Sequence, residues 1–327
     1  MPFEPSAPPP LLDVFTLGES MVRLTAPSPL RIEQAATFEA YVAGAETNVA
    51  VALARLGKRA AWFSRLPDTP LGRLAANFVR QYGVDVSGTL FVPEERMGLY
   101  FLERGMPPRP SRVWYDRANS AASRLKPSDL PLEQLAAARW LHLTGITPAL
   151  SPSCEATCHA AISHARTHGL TFSFDVNYRS LLWSPQQARA TLMPFCHAAD
   201  VVFIASRDAA ALFEVTGDAA QQAERLHQLW GGSVIVTDGA NGAAAHAQRD
   251  AAACKAFVVQ VVERVGAGDA FAAGVICRLL EGAPLSDALS FGAALAALKL
   301  SIAGDVALVT RQEVEALIAT GGTALHR

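Results

Sequence analysis

Short runs of β-branched and aromatic residues recur along the chain. Between them lie longer stretches in which apolar positions return every three or four residues. The runs at 14–18, 60–64, 139–144, 170–176, 201–205 and 233–237 read as strands. The stretches at 47–56, 71–82, 152–168, 185–197 and 218–230 read as helices, the first closed by Gly57. The strand runs lack clean alternation of apolar and polar positions, as expected of a sheet covered by helices on both faces. This order predicts an α/β fold with a mainly parallel central sheet flanked by helices.

Two segments break the rhythm. Met21-Val-Arg-Leu24, Gly98-Leu-Tyr-Phe-Leu102 and Arg112-Val-Trp-Tyr115 are extended patterns set among prolines and charges, with no helical spacing. They predict a small β-sheet lid over the active face, formed by about 19–43 and 89–117; two unconnected surface hairpins are the alternative. Residues 1–12 (MPFEPSAPPPLL) predict a disordered proline-rich tail. No linker interrupts 13–327, which reads as one domain carrying the lid.

Composition narrows the function classes. With 28 Lys+Arg against 30 Asp+Glu, the net charge of -2 supplies no general attraction to nucleic acid or anionic membrane. Hydrophobic residues at 50% and charged residues at 18% exclude wholesale disorder. The tail has no apolar signal-peptide core, and the most apolar late stretch, 291–304, is broken by Lys299 and short of a membrane span. Five scattered cysteines argue against a disulfide framework. Cys154 and Cys158, beside His159, resemble half a metal site with no second ligand pair. A cytoplasmic protein is expected.

The sharpest local signal is Val265-Gly-Ala-Gly-Asp269-Ala-Phe-Ala-Ala-Gly274. A strand over 256–263 is predicted to enter a small-residue turn, followed by a helix through 280. Gly266, Ala267 and Gly268 would leave amides bare at a helix N-terminus, where an anion is favoured. Asp269, in the first turn, would suit a general base in phosphoryl transfer. A plain packing turn with a helix-end acid is the bland alternative. The pattern is not the dinucleotide G-x-G-x-x-G, and no Walker A loop is present.

These residues resemble the C-terminal signature D-T-x-G-A-G-D of the ribokinase-like (PfkB) sugar kinases, with Glu263-Arg264 in place of Asp-Thr. Gly44-Ala-Glu46-Thr-Asn48-Val-Ala50, followed by Leu53 and Gly57, resembles the family's N-terminal signature. Further segments look like 2-keto-3-deoxygluconate kinases: Gly98-Leu-Tyr100-Phe, Trp114-Tyr115-Asp-Arg117, Gly145-Ile-Thr-Pro-Ala-Leu150 and Asp175-Val-Asn-Tyr-Arg179. The resemblance implies a ribokinase-like fold. It places the sugar against Gly44, Glu46, Asn48, Tyr100, Tyr115, Arg117 and Arg179, with Asp269 and Asp305 at its reactive end. Two arginines suit a sugar that carries a carboxylate.

On the nucleotide side, Thr237, Gly239 and Gly242 fall in a strand-turn that resembles the one bordering ATP. The family's N-x-x-E motif, linked to magnesium, aligns with Ala205-Ser-Arg-Asp208, which keeps a carboxylate but loses the amide. The resemblance thus implies ATP and Mg2+, with Asp208 acting through water, and admits a monovalent cation. It also implies a homo-oligomer, a dimer through the lid. The expected reaction is ATP-dependent phosphorylation of 2-keto-3-deoxygluconate at its terminal hydroxyl. Fructose, tagatose, a deoxy-ketogluconate or a nucleoside are the competing acceptors. A catalytically silent sugar-binding homologue and a nicotinamide dehydrogenase are the alternatives from other classes.

Overall fold

In the computed structural model, residues 12–321 are described; apart from Leu12, the proline-rich tail lies outside them. Fourteen strands and eleven α-helices are present among these residues. The chain opens with β1 (Leu12–Leu17), β2 (Met21–Thr25), β3 (Glu39–Ala43) and α1 (Ala45–Arg55). It continues through β4 (Ala60–Phe63), β5 (Arg65–Pro67), α2 (Pro70–Gln81), β6 (Leu90–Val92), β7 (Leu99–Glu103) and β8 (Arg112–Asp116). The middle holds α3 (Leu132–Ala136), β9 (Ala138–Thr144), α4 (Ile146–Ala149), α5 (Pro152–Thr167), β10 (Thr171–Asp175) and α6 (Pro185–Ala198). Then come β11 (Val201–Ala205), α7 (Ser206–Phe213), α8 (Ala219–Trp230), β12 (Ser233–Thr237), β13 (Ala243–Ala247) and β14 (Asp250–Cys254). Three helices end the chain: α9 (Ala267–Leu280), α10 (Leu285–Leu300) and α11 (Arg311–Thr320).

The main sheet has the order β14-β13-β12-β11-β10-β9-β1-β4. It is parallel from β4 to β12 and antiparallel through β13 and β14. The missing alternation in the sequence now has its cause. Val14, Trp62, Trp140, Phe203 and Ile235 face one buried layer, made with α1, α2, α9, α10 and α11. Their neighbours Phe15, Phe63, Leu141, Val202 and Val234 face the other, made with α3, α5, α6, α7 and α8. Where α9 meets α10, Gly274 and Gly292 let the backbones touch: a Cβ on Gly274 would lie 2.8 Å from the Gly292 Cα.

The lid is a separate four-stranded sheet of order β3-β2-β7-β8. Its segments are distant in sequence but adjacent in space because β2 pairs parallel with β7. Residues 90–92 do not join it; β6 pairs with β5 in a ladder of its own. The strand expected over 256–263 does not form. Val258, Val261 and Val262 are exposed, and this segment is held by Val262 and Glu263 amides donating to the Leu300 carbonyl. The antiparallel edge is instead the β13–β14 hairpin, whose alanine-rich sequence carries little strand signal.

Candidate active site

A cavity of about 440 Å³ opens where the C-terminal ends of the parallel strands meet the inner face of the lid, the usual place for a ligand in an open α/β sheet. Its floor is the N-terminus of α9. Gly266 caps that helix in the left-handed region (φ 83°), and no side chain caps the bare first-turn amides. A Cβ on Gly266 would meet the Asp305 carbonyl oxygen at 1.8 Å, whereas the space beside Gly268 is open. The small-residue turn expected from the sequence therefore forms at the helix start, and Gly266 and Gly268 line the cleft.

Asp269 stands in that first turn, and its Oδ2 accepts a hydrogen bond of 2.6 Å from Asn48 Nδ2 on α1. Burial pushes its carboxyl up to about 6, with the Asp305 charge adding to the rise; Asn48, Arg179 and Lys299 act the other way. Asn48 Oδ1 is buried without a partner, an acceptor available to a ligand hydroxyl in the cavity it lines. Gly44 caps α1 close against the lid's root: a Cβ there would lie 2.3 Å from the Glu19 carbonyl.

A buried polar cluster ties the lid to this floor. Tyr100 on β7 donates to Asp305 Oδ2 at 2.6 Å, and Arg23 on β2 pairs with Asp305 at 2.7 Å. Arg23 also donates to both oxygens of Glu263, at 2.9 and 3.1 Å, and lies 4.2 Å from the Tyr41 ring centre. Glu263 accepts from the Gly304 amide at 3.0 Å. The departure at 263 thus has a physical account. A glutamate reaches the lid arginine and holds together the segments that carry Asp269 and Asp305.

The profile of the pfkB family carbohydrate kinases matches residues 11–310. The chain belongs to that family. It is 40% identical over 316 residues to a 2-dehydro-3-deoxygalactonokinase from Haloferax volcanii, covering 96% of this chain and 99% of the relative. It is 33% identical to a 2-dehydro-3-deoxygluconokinase from Bacillus subtilis, covering 95% and 97%. The solved 2-dehydro-3-deoxygluconokinase of Thermotoga maritima superposes with a TM-score of 0.89 at 33% identity, covering 94% of this chain and 99% of that one.

With the kinase identified, each expected residue can be placed. Gly44, Asn48, Tyr100, Tyr115, Arg117, Arg179, Asp208, Thr237, Gly266, Gly268, Asp269 and Asp305 all line the one cavity. Ala267 lies within the turn. Glu46 does not reach the cavity. It is fully buried, accepting from the Thr144 and Thr147 hydroxyls at 2.8 and 2.7 Å, and its carboxylate fills the place of a Gly18 side chain. Gly239 and Gly242 also lie off the cavity lining, in the β12–β13 turn that Asp238 closes by bonding the Gly242 carbonyl.

The two arginines differ. Arg117 is buried and already paired with Glu19, which also accepts from Ser120. Arg179 follows β10 and is exposed to the cavity, and its guanidinium has no ion-pair or hydrogen-bond partner among the described residues. Arg179 is therefore free to neutralise an incoming carboxylate. Arg264, noted in the sequence only as a departure, also lines the cavity with its guanidinium unpartnered among the described residues.

Asp175, at the end of β10, lines the cavity as well. Burial pushes its carboxyl up to about 7, and the charge of Asp269 adds to this. Burial also raises Asp208, in the first turn of α7, against the pull of Arg207. Among the described residues no three His, Cys, Asp or Glu are grouped to cage a metal. Two carboxylates at adjacent strand ends fit a hydrated divalent cation carried mainly by phosphate oxygens. Cys154 and Cys158 are buried thiols, and His159 stacks on Phe195 at 4.4 Å, so their proximity is core packing.

Proposed function

We propose that this kinase transfers the γ-phosphoryl group of ATP to the terminal hydroxyl of a 2-keto-3-deoxy sugar acid, 2-keto-3-deoxygluconate in the first instance. The observation that carries the reading is the pairing of Asp269 and a bare helix N-terminus with the unpaired guanidinium of Arg179 in a single cleft. The names of the relatives point the same way. The 40% identical galactonokinase relative supports the C4 epimer, 2-keto-3-deoxygalactonate, as a second acceptor of the same site.

In this reading Arg179 holds the sugar carboxylate, and Asn48 Oδ1 and Tyr115 border the sugar. Asp269 takes the proton from the hydroxyl as its oxygen attacks the γ-phosphorus. The amides of the Gly266 turn offset charge on the transferring phosphoryl oxygens, a contribution of about 3 kcal/mol per donor. Asp175 and Asp208 would hold Mg2+ through water, and the ion would offset phosphate charge. Arg117 is reassigned: paired to Glu19 between β1 and β2, it braces the root of the lid. The lid shields the reaction from water.

The lid's outer face suits a homodimer. Trp114 is 44% exposed, sits opposite Phe101 on the neighbouring strand, and Phe38 meets Phe101 edge-on at 6.1 Å. All five cysteines are free thiols, which suits the cytoplasm.

The test is ADP release with ATP and magnesium over a sugar panel. Turnover is expected with the two sugar acids, to fall about 100- to 10,000-fold in Asp269→Asn. In Arg179→Ala the sugar-acid KM should rise with the ATP KM unchanged. Equal turnover of neutral ketoses would overturn the carboxylate assignment while leaving the kinase intact.

A further inference from the structure

The last turn of α10 carries Lys299, whose side chain is fully buried (0% exposed), a rare position for lysine. Its ammonium donates one hydrogen bond, to the Ile302 carbonyl at 3.2 Å, and makes no ion pair among the described residues. The side chain runs beneath the anion-binding turn: a Cβ on Gly266 would meet Lys299 Cε at 3.3 Å. Glu263, Asp305 and Asp269 all act on this ammonium as opposite charges, and Arg23 as a like charge.

Three carboxylates therefore gather around the turn, with Arg23 the other cation buried among them. Arg104 reaches Glu263 only from the rim, and Arg179 lies on the exposed side. Without Lys299 the ground beneath the turn would carry excess negative charge where the amides must attract phosphate. A buried ammonium pays a large desolvation cost, and methionine would fill the same space without it. One hydrogen bond is a thin structural reason to keep the charge.

We propose that Lys299 is a positioning residue for phosphoryl transfer: a built-in cation that joins the Gly266 turn to the Ile302–Asp305 segment and offsets the carboxylates beneath the phosphate site. The enzyme then needs no free monovalent cation there. This rests on the role given above to the turn and to Asp269.

The test keeps ATP and magnesium and replaces every small monovalent cation by tetramethylammonium. Turnover of the intact enzyme is expected to stay unchanged when potassium or ammonium is added. In Lys299→Ala, kcat should fall about tenfold or more, less than for a lost oxyanion donor, with the sugar KM little changed. Ammonium or methylammonium should restore much of that loss. Lys299→Met should lose as much and stay unrestored, because its side chain fills the space.

Activation of the intact enzyme by potassium overturns the proposal, as does full kcat in Lys299→Met. If the variants do not fold, the cation response of the intact enzyme decides alone. Full activity in Asp269→Asn would instead strike at the reading of the turn, separately from the cation response.

Discussion

Two buried carboxyls, Asp269 and Glu46, show how the same physical cause serves different ends. As the proposed base, Asp269 must be ionised to accept a proton, and burial pushes its carboxyl up to about 6. We expect kcat/KM to fall on the acid side through about pH 6, a limb that a pH–rate profile would show and that should be absent from the residual activity of Asp269→Asn. Glu46 is raised from 4.5 to about 7 because it is sealed under Gly18, with Oε2 unpartnered. A folded value above the unfolded one means the fold holds the proton more tightly. Stability is therefore lost as pH rises from about 4.5 to about 7, on the order of 3 kcal/mol from this group. Urea midpoints at about pH 5 and about pH 8 should differ less in Glu46→Gln than in the parent. An unchanged difference would show that Glu46 does not titrate in that window.

At the scale of elements, the turn before α9 depends on one glycine. Gly266 combines a left-handed φ with a backbone neighbour where a side chain would stand. Gly57, closing α1, has a similar φ of 85° and open space around it. Gly57→Ala should cost about 1 kcal/mol of stability and leave kcat alone. Gly266→Ala should cost stability and also lower kcat, because the turn can relieve the clash only by moving its amides or Asp305. Thermal melts beside ADP-release rates separate the two effects.

Legibility at this scale followed burial. The helices over 152–167 and 219–230 begin at Ser151 and Asp218, whose side chains cap them, and such ends are visible in sequence. Valines recur in the 256–263 run and give it a strand signal, yet Val258, Val261 and Val262 face solvent and no strand pairs with it among the described residues. The alanine hairpin β13–β14 carries little strand signal for the opposite reason: its pairing comes from the sheet edge it joins, not from its side chains.

For the whole molecule, the lid is both a wall of the active site and a candidate interface. Its inner face bears Met21, Tyr100 and Tyr115 over the cavity, while its outer face bears Phe101 and Trp114. Light scattering should find a dimer for the parent chain and monomer for Trp114→Glu. A dimer surviving that substitution would place the contact elsewhere.

The sequence by itself determined the α/β class, because runs buried on both faces have to be apolar throughout. It also determined the small-residue turn that opens α9, because Gly266, Gly268 and Asp269 stand within a few bonds of one another. Only the tertiary structure decided which charges are free. Arg117 and Arg179 look alike along the chain, yet Glu19 pairs with one, while the guanidinium of the other has no hydrogen-bond or ion-pair partner among the described residues. Glu263 looked like a lost family residue until Arg23, 240 positions away, came to lie against it. Charge balance in a buried site is a property of neighbours in space, and the pairing of β2 with β7 and of the lid with α9 sets those neighbours.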